Sequence, residues 1–244
     1  MKIIIAPSKT NSLEKIIDKP TRSPILPELS NSLLEYLSKL KKVDLAALLK
    51  IKGKILDETY EYYQLSKKNN MIIKAIDFYK GVVFEQLDLK SYTNEQIGYL
   101  NERLLILSAL YGPLKPNSVI YPYRLDMTIR PMGINLYAYW QEYINDYFSI
   151  EEMIVNLSSD EFSKMIKDQK CFLNIHFYEQ KGDKYLKSSS FDVKKARGQF
   201  LDSLVKSRIT KRHRIKDIEI MGYAYSEEKS SEKDYVFIKK SLDT

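Results

Sequence analysis

Two polar clusters, each placed just after an apolar run, hold the side chains best suited to chemistry. Leu104 to Leu107 give way to Ser108 and Tyr111, a Tyr-Gly break, two prolines, and then Arg124 and Asp126. Met153 to Val155 give way to Asn156, Ser158 and Glu161. Buried strands deliver polar side chains to the rim of a sheet in this manner, and rims are where sites are built. Backbone N–H groups at a helix start, beside an arginine, make an anion site. In a pocket for a nucleobase or nucleotide, Asp126 would be the acid/base candidate, Arg124 the anion clamp and Tyr111 a stacking surface. Arg124 and Asp126 lie two apart, so on an extended segment they share a face. They either pair with each other or line a pocket for a planar polar ligand or a phosphate. The plain alternative for Ser158 or Ser159 is a helix cap, with Asp160 or Glu161 early in the first turn.

Three basic groups suggest a polyanion partner. Lys194, Lys195 and Arg197 stand near the start of a helix, where cations oppose the dipole unless an anion lies there. Gly198 sits inside that helix at a cost of about 1 kcal/mol against alanine, which close approach of another backbone or a ligand would explain. Residues 44–65 read as two helices joined at Ile51 to Lys54, similar to a helix-hairpin-helix, whose hairpin N–H groups grip a DNA phosphate without reading sequence. Lys50, Lys52 and Lys54 would add charge around Gly53. The usual hairpin runs apolar-x-Gly-apolar-Gly, and Lys54 and Ile55 occupy the last two positions here; a plain pair of helices fits the same pattern. Arg208 to Lys216, with Arg212 and Arg214, is either a solvated turn or a track for a phosphate backbone.

The elements that must position these groups follow from periodicity. The opening Ile3 to Ile5 predicts a buried strand, too short in its apolar part for a secretory signal. Residues 18–28, with Pro20, Pro24 and Pro27, predict an extended loop. Leu33, Leu34, Leu37 and Leu40 predict a helix; Asp44 predicts the N-cap of a short helix to Leu49, and another helix spans Ile55 to Leu65. Ala75–Tyr79 and Val82–Phe84 read as short strands. Glu95–Glu102 is helical, Leu104–Leu107 a strand, and 135–148 a helix presenting Leu136, Trp140, Tyr143 and Tyr147. Asp160–Ile166 reads as a helix, Cys171–Tyr178 and Lys184–Leu186 as an antiparallel pair, and Val193–Arg208 as a long helix with Val193, Ala196, Phe200 and Leu204 inward. Met221–Tyr225 and Tyr235–Lys239 close the chain as strands. Strands and helices intermingle over 1–244, which predicts one mixed α/β domain, a mixed central sheet flanked by helices.

Composition narrows the function. The 244 residues are 44% hydrophobic with a net charge of +7, enough for a large core and a balance that favours polyanions such as nucleic acid. Lysines supply 31 of the 39 basic residues, so scattered charge says less than the grouped arginines do. Two histidines and one cysteine, Cys171, argue against a His/Cys zinc site and an internal disulfide framework, and a reducing cytoplasm is expected. No Walker loop, G-x-G-x-x-G or G-x-S-x-G occurs. His213 reads as a surface residue and His176 as a hydrogen-bonded structural one. No cofactor, metal, membrane or protein partner is expected.

Taken together, Ala6 to Thr10, Leu107 to Pro116, Pro122 to Met127, Asn156 to Phe162 and Lys195 to Gly198 resemble the YaaA family of bacterial peroxide-stress proteins, in order along the chain. The resemblance implies a cytoplasmic protein that lowers free intracellular iron and so limits oxidative damage. It also implies an α/β domain with a helix-hairpin-helix and a basic cleft that binds DNA, and it carries no settled reaction. With Lys9 from the first stretch, the pocket candidates are Lys9, Ser108, Tyr111, Arg124, Asp126, Asn156, Ser158 and Glu161. The DNA-binding candidates are Lys50, Lys52, Gly53, Lys54, Lys194, Lys195, Arg197, Arg212 and Arg214. Sequence-independent DNA binding is the leading expectation. An enzyme acting on a nucleobase or nucleotide, with Asp126 as candidate catalyst, is the first alternative. Direct iron binding by Asp126, Asp160 and Glu161 is the second.

Overall fold

The computed structural model describes residues 1–17, 22–68, 71–167 and 170–240. Ile3, Ile4 and Ile5 are β-branched and fully buried, which suits a strand covered on both faces, and Lys2–Ile5 forms β1. β2 is a short piece, Ile16–Ile17. Helix α1, Pro27–Lys39, opens on a proline, whose missing N–H has no partner to lose there, and buries Leu33, Leu34 and Leu37. The expected loop over 18–28 is thus shortened: Pro27 already belongs to α1, and residues 18–21, Pro20 among them, lie outside the described residues. Helix α2, Lys42–Leu49, stops where Lys50 turns left-handed at φ 56°, and α3, Gly53–Lys67, follows. Asp44 lies in the first turn of α2 and not at its N-cap, which is Lys41.

β3, Ile72–Lys74, runs straight into the one-turn helix α4, Ala75–Phe78. This overturns the strand expected over Ala75–Tyr79. Val82–Phe84 is not a strand either; it forms a turn leading into a 3-10 helix, Phe84–Gln86. Short apolar runs fit both states by period, and partners decide. The N–H groups of Ala75 and Ile76 go to the carbonyls of Ser118 and Pro116. α5, Asn94–Arg103, opens on a capping box between Thr93 and Gln96. It feeds β4, Leu104–Ser108, which is buried throughout; β5, Gly112–Leu114, and β6, Val119–Ile120, follow. α6, Leu136–Ser149, is capped by Asn135 and buries Leu136, Trp140, Ile144 and Phe148. Steps of four select Ile144 and Phe148 after Trp140, so the expected Tyr143 and Tyr147 fall off that face.

β7, Ile154–Asn156, precedes α7, Asp160–Ser163, a single turn where a helix to Ile166 was expected. β8, Phe172–Lys181, and β9, Lys184–Lys187, form the expected antiparallel pair. Then come α8, Ser190–Lys206, α9, Arg212–Ile215, β10, Tyr223–Tyr225, and β11, Asp234–Lys240. In α8 the expected Ala196, Phe200 and Leu204 are buried, and Val193 is only partly so.

Among the described residues, eight strands make one mixed sheet in the order β10-β11-β8-β7-β1-β4-β5, with β9 paired to β8. Its middle, from β4 to β11, is parallel. β2, β3 and β6 form a small antiparallel sheet. The elements interleave in one mixed α/β architecture with one buried core, as the pattern of the sequence predicts. Two features of the large sheet create room for cavities. The chain places β4 on one side of β1 and β7 on the other, a topological switch point, where α/β sheets hold ligands outside the carboxyl ends of their strands. β8 gives one edge to β11 over residues 174–180 and the other to β7 over 172–174 and to β9 over 178–181. Between β7 and β9 that second edge has no paired strand among the described residues.

Candidate functional site

A cavity of about 500 Å³ lies at the switch point. Its floor comes from the segments that leave β1 and β7, Ala6 to Asn11 and Leu157 to Phe162. One wall is the Gly81–Phe84 turn and another is the Tyr123–Asp126 segment. Lys194 and Arg197 close it from α8. Of the pocket candidates, Lys9, Arg124, Asp126 and Glu161 line this cavity. The pairing of Arg124 with Asp126 does not occur: Asp126 Oδ2 accepts from Lys9 Nζ at 2.9 Å instead, and the Arg124 guanidinium has no ion pair among the described residues. The backbone of Arg124 is held from α3, where Tyr63 donates its phenol proton to the Arg124 carbonyl at 2.8 Å.

Ser108 and Tyr111 stand behind the cavity. Ser108 is fully buried and its Oγ accepts the N–H groups of Leu110 and Tyr111 at 3.2 and 3.0 Å. Both acceptor sites of the hydroxyl are then filled, so Ser108 donates its proton to Tyr123 Oη, 2.7 Å away. Tyr123 in turn meets Tyr79 Oη at 2.8 Å. Burial pushes the Tyr123 phenol up to about 12 and the Tyr79 and Tyr111 phenols well above their usual value, so all three are neutral donors and acceptors at physiological pH. Tyr111 is 2% exposed and bonds the Tyr121 backbone in both directions at 3.0 Å. Its ring is inside the protein and offers no stacking surface to a ligand in the cavity. Sequence reasoning missed Tyr79 and Tyr123, which line it together with Phe78, Phe84 and Phe162; only the Pro-Tyr-Arg segment hinted at Tyr123.

Asn156 and Ser158 face away from this cavity and line a second one, of about 390 Å³, which Arg197 also lines. Asn156 Oδ1 accepts the Ser158 N–H at 3.0 Å, and no side chain caps α7. The serine caps expected there are absent because Asn156 closes the turn first. Burial lowers the pKa of Arg197, opposed by the Asp160 charge, and Arg197 Nε is buried without an acceptor. Gly198 lets α8 approach the Val82–Gln86 turn so closely that a β-carbon there would lie 2.4 Å from the Val83 carbonyl oxygen. The anomaly of a glycine within the helix is thus explained by backbone contact.

The remaining basic candidates are divided between places. Lys50 and Lys52 are exposed at the α2–α3 turn beside Gly53, and Lys54 reaches Glu58 at 3.7 Å. Lys195 does not line the cavity as Lys194 does. Arg212 lies over the Tyr235 ring of β11 and Arg214 pairs with Asp217 at 2.9 Å, and neither lines the cavity. The three carboxylates considered for iron do not converge: Asp126 and Glu161 line the first cavity and Asp160 the second. Among the described residues no group of three or more His, Cys, Asp or Glu is placed to hold a metal ion, and no helix is long and apolar enough to cross a membrane.

Comparison with known proteins bears on the whole chain. Residues 1–229 match the family described as peroxide stress protein YaaA. A UPF0246 protein of Fusobacterium nucleatum is 38% identical over 250 residues, covering 99% of this chain and 100% of the relative. UPF0246 proteins of Rickettsia felis and Rickettsia rickettsii are 34% and 33% identical over 251 and 249 residues, each covering 98% of this chain and 100% of the relative. The switch-point cavity is therefore built from stretches that lie inside a match spanning nearly the full sequence, and the chain belongs to the peroxide stress protein YaaA family.

Proposed function

We propose that the protein serves the peroxide-stress response in the cytoplasm by binding DNA through phosphate contacts, and helps limit oxidative damage linked to free iron. The observation that carries DNA binding is the start of α3. This helix has no side-chain cap and no acidic residue in its first turn, so its first N–H groups remain available as donors. Lys50, Lys52 and Lys54 surround them, and the arrangement suits a phosphate held without base readout. Nine residues further along α3, about 14 Å by helical rise, Tyr62 and Tyr63 meet Asn11 and Arg124 at the cavity wall. A strand gripped at the hairpin would have Arg124, Lys9 and Lys194 within its further reach.

The test is fluorescence anisotropy of a labelled duplex at two salt concentrations. Affinity should be indifferent to sequence and fall with salt as counterions are released. Reversing charge at Lys52 and Lys54 should weaken binding equally on every sequence and reduce the salt slope by about 1 for each phosphate no longer neutralised. Absence of binding at low salt would end this reading.

A second reading, an enzyme acting on a nucleobase or nucleotide, is favoured by one observation: Asp126 lines a cavity beside Lys9, Arg124 and the aromatic Phe84 and Phe162. Asp126→Asn should then abolish peroxide protection in cells while DNA affinity is kept. Survival of both properties would make the carboxylate structural.

A further inference from the structure

The second cavity opens where, among the described residues, no strand pairs with β8 between β7 and β9. Asn174, His176 and Tyr178, alternate residues of β8 and so on one face of the sheet, line it together with Lys187, Ser188 and Arg197. Its polar groups are arranged in a connected chain. The Ser158 N–H bonds Asn156 Oδ1, Asn156 Nδ2 bonds Asn174 Oδ1 at 2.9 Å, and Asn174 Nδ2 bonds Asp234 Oδ1 at 3.2 Å. The same carboxylate oxygen takes His176 Nε2 at 2.8 Å. Asp234 therefore orients the imidazole, and His176 Nδ1 has no partner among the described residues. His176 is hydrogen-bonded, as its sequence context predicts, but its ring also faces a polar cavity.

Two further donors remain available. Ser188 Oγ accepts the Tyr223 phenol proton at 2.7 Å, which leaves the serine's own O–H to donate. Arg197 also lines the cavity, and burial partly desolvates its guanidinium. A bound oxyanion would meet it through charge-assisted bonds. The charges lining the cavity are Arg197, Lys187 and Asp160, the last exposed at its rim, and Asp234 stands behind Asn174 and His176.

We infer that this cavity binds a phosphate monoester, with Arg197 and the Ser188 hydroxyl holding phosphoryl oxygens and the His176 ring completing the set. A monoester carries roughly −1.5 to −2 charge at neutral pH, and the two cations Arg197 and Lys187 line the cavity to meet it. A backbone diester carries one charge, and a site walled by β7 on one side and β9 on the other suits a terminal group better than a passing strand. A free mononucleotide and the phosphorylated end of a strand present the same group. Monoester binding here is independent of duplex binding at the hairpin, so either reading can fail alone.

Calorimetric titration of the full chain with two ligand pairs tests it: adenosine monophosphate against adenosine, and a short single-stranded oligonucleotide with a terminal phosphate against the same strand without it. At least one phosphorylated ligand should bind about tenfold or more tightly than its counterpart, the worth of a charge-assisted hydrogen bond. Binding by the nucleotide assigns free nucleotides as ligands, and binding by the strand alone assigns strand ends. Arg197→Gln should weaken it by about 10- to 100-fold, and Ser188→Ala and His176→Gln should each weaken it measurably. A readout independent of variants is available because the chain has two histidines: the phosphorylated ligand should shift the His176 ring resonances of the wild-type protein. No preference for phosphate in either pair, no shift at His176, or a preference that survives Ser188→Ala combined with His176→Gln would overturn the inference.

Discussion

Replacing Gly198 by alanine is expected to lower stability by about 1–3 kcal/mol, the cost of forcing volume into a filled space. Helix propensity alone predicts the opposite sign, a gain of up to about 1 kcal/mol. Geometry decides between them. The new β-carbon would lie 2.4 Å from the Val83 carbonyl oxygen and 2.7 Å from Gln86 Cγ. The Gln86 side chain can swing aside, whereas the carbonyl can move only with its turn. That turn, Gly81 to Phe84, is a wall of the switch-point cavity, and α8 carries Lys194 and Arg197 into the same space. The substitution should therefore lower the urea midpoint and also weaken any ligand held by Arg197. A Gly198→Ala protein as stable as the wild type would show that the two elements yield freely and do not position the guanidinium.

Trp140→Ala should cost more, about 3–5 kcal/mol, because it combines lost burial with an unfilled cavity. The indole is fully buried, and its Nε1 donates to the Ala109 carbonyl at 2.9 Å. It also fills the space above Gly112, where φ is +66° and a β-carbon would lie 2.7 Å from the ring. The ring thus braces the Ala109–Gly112 turn that follows β4, and that turn supplies the N–H groups held by Ser108 Oγ. Trp140→Phe retains most of the volume but leaves the buried Ala109 carbonyl unpaired, a loss of about 1–3 kcal/mol. Equilibrium denaturation of the two variants separates the packing contribution from the hydrogen bond. A loss under about 1 kcal/mol for Trp140→Ala would contradict the bracing role, since changes that small are usual for surface sites.

Legibility in the sequence followed the length over which a local rule could act. α5, α6 and α8 span enough turns for their apolar period to emerge, and β1 and β4 are unbroken runs of Ile and Leu. Ala75–Tyr79 and Val82–Phe84 were too short for period to separate strand from turn, and distant carbonyls settled the matter at Ala75 and Ile76. Arg124, Asp126 and Glu161 were recognisable as rim residues because each comes after an apolar strand, whereas Lys9 entered only through the family resemblance. Ser108 and Tyr111 obeyed the same rule yet turned inward, since the tight turn after β4 takes up the Ser108 hydroxyl.

By itself, then, the amino-acid sequence determined the family, the mixed α/β class, the long helices and the buried parallel strands, because those depend on composition, ordered motifs and repeats within one element. Only the tertiary structure decided that Lys9 and not Arg124 pairs with Asp126, that His176 borders a polar cavity, and that Arg197 stands between two of them. Those outcomes depend on which segments distant in the chain become neighbours: Lys9 and Asp126 are 117 residues apart, and His176 and Asp234 are 58 apart.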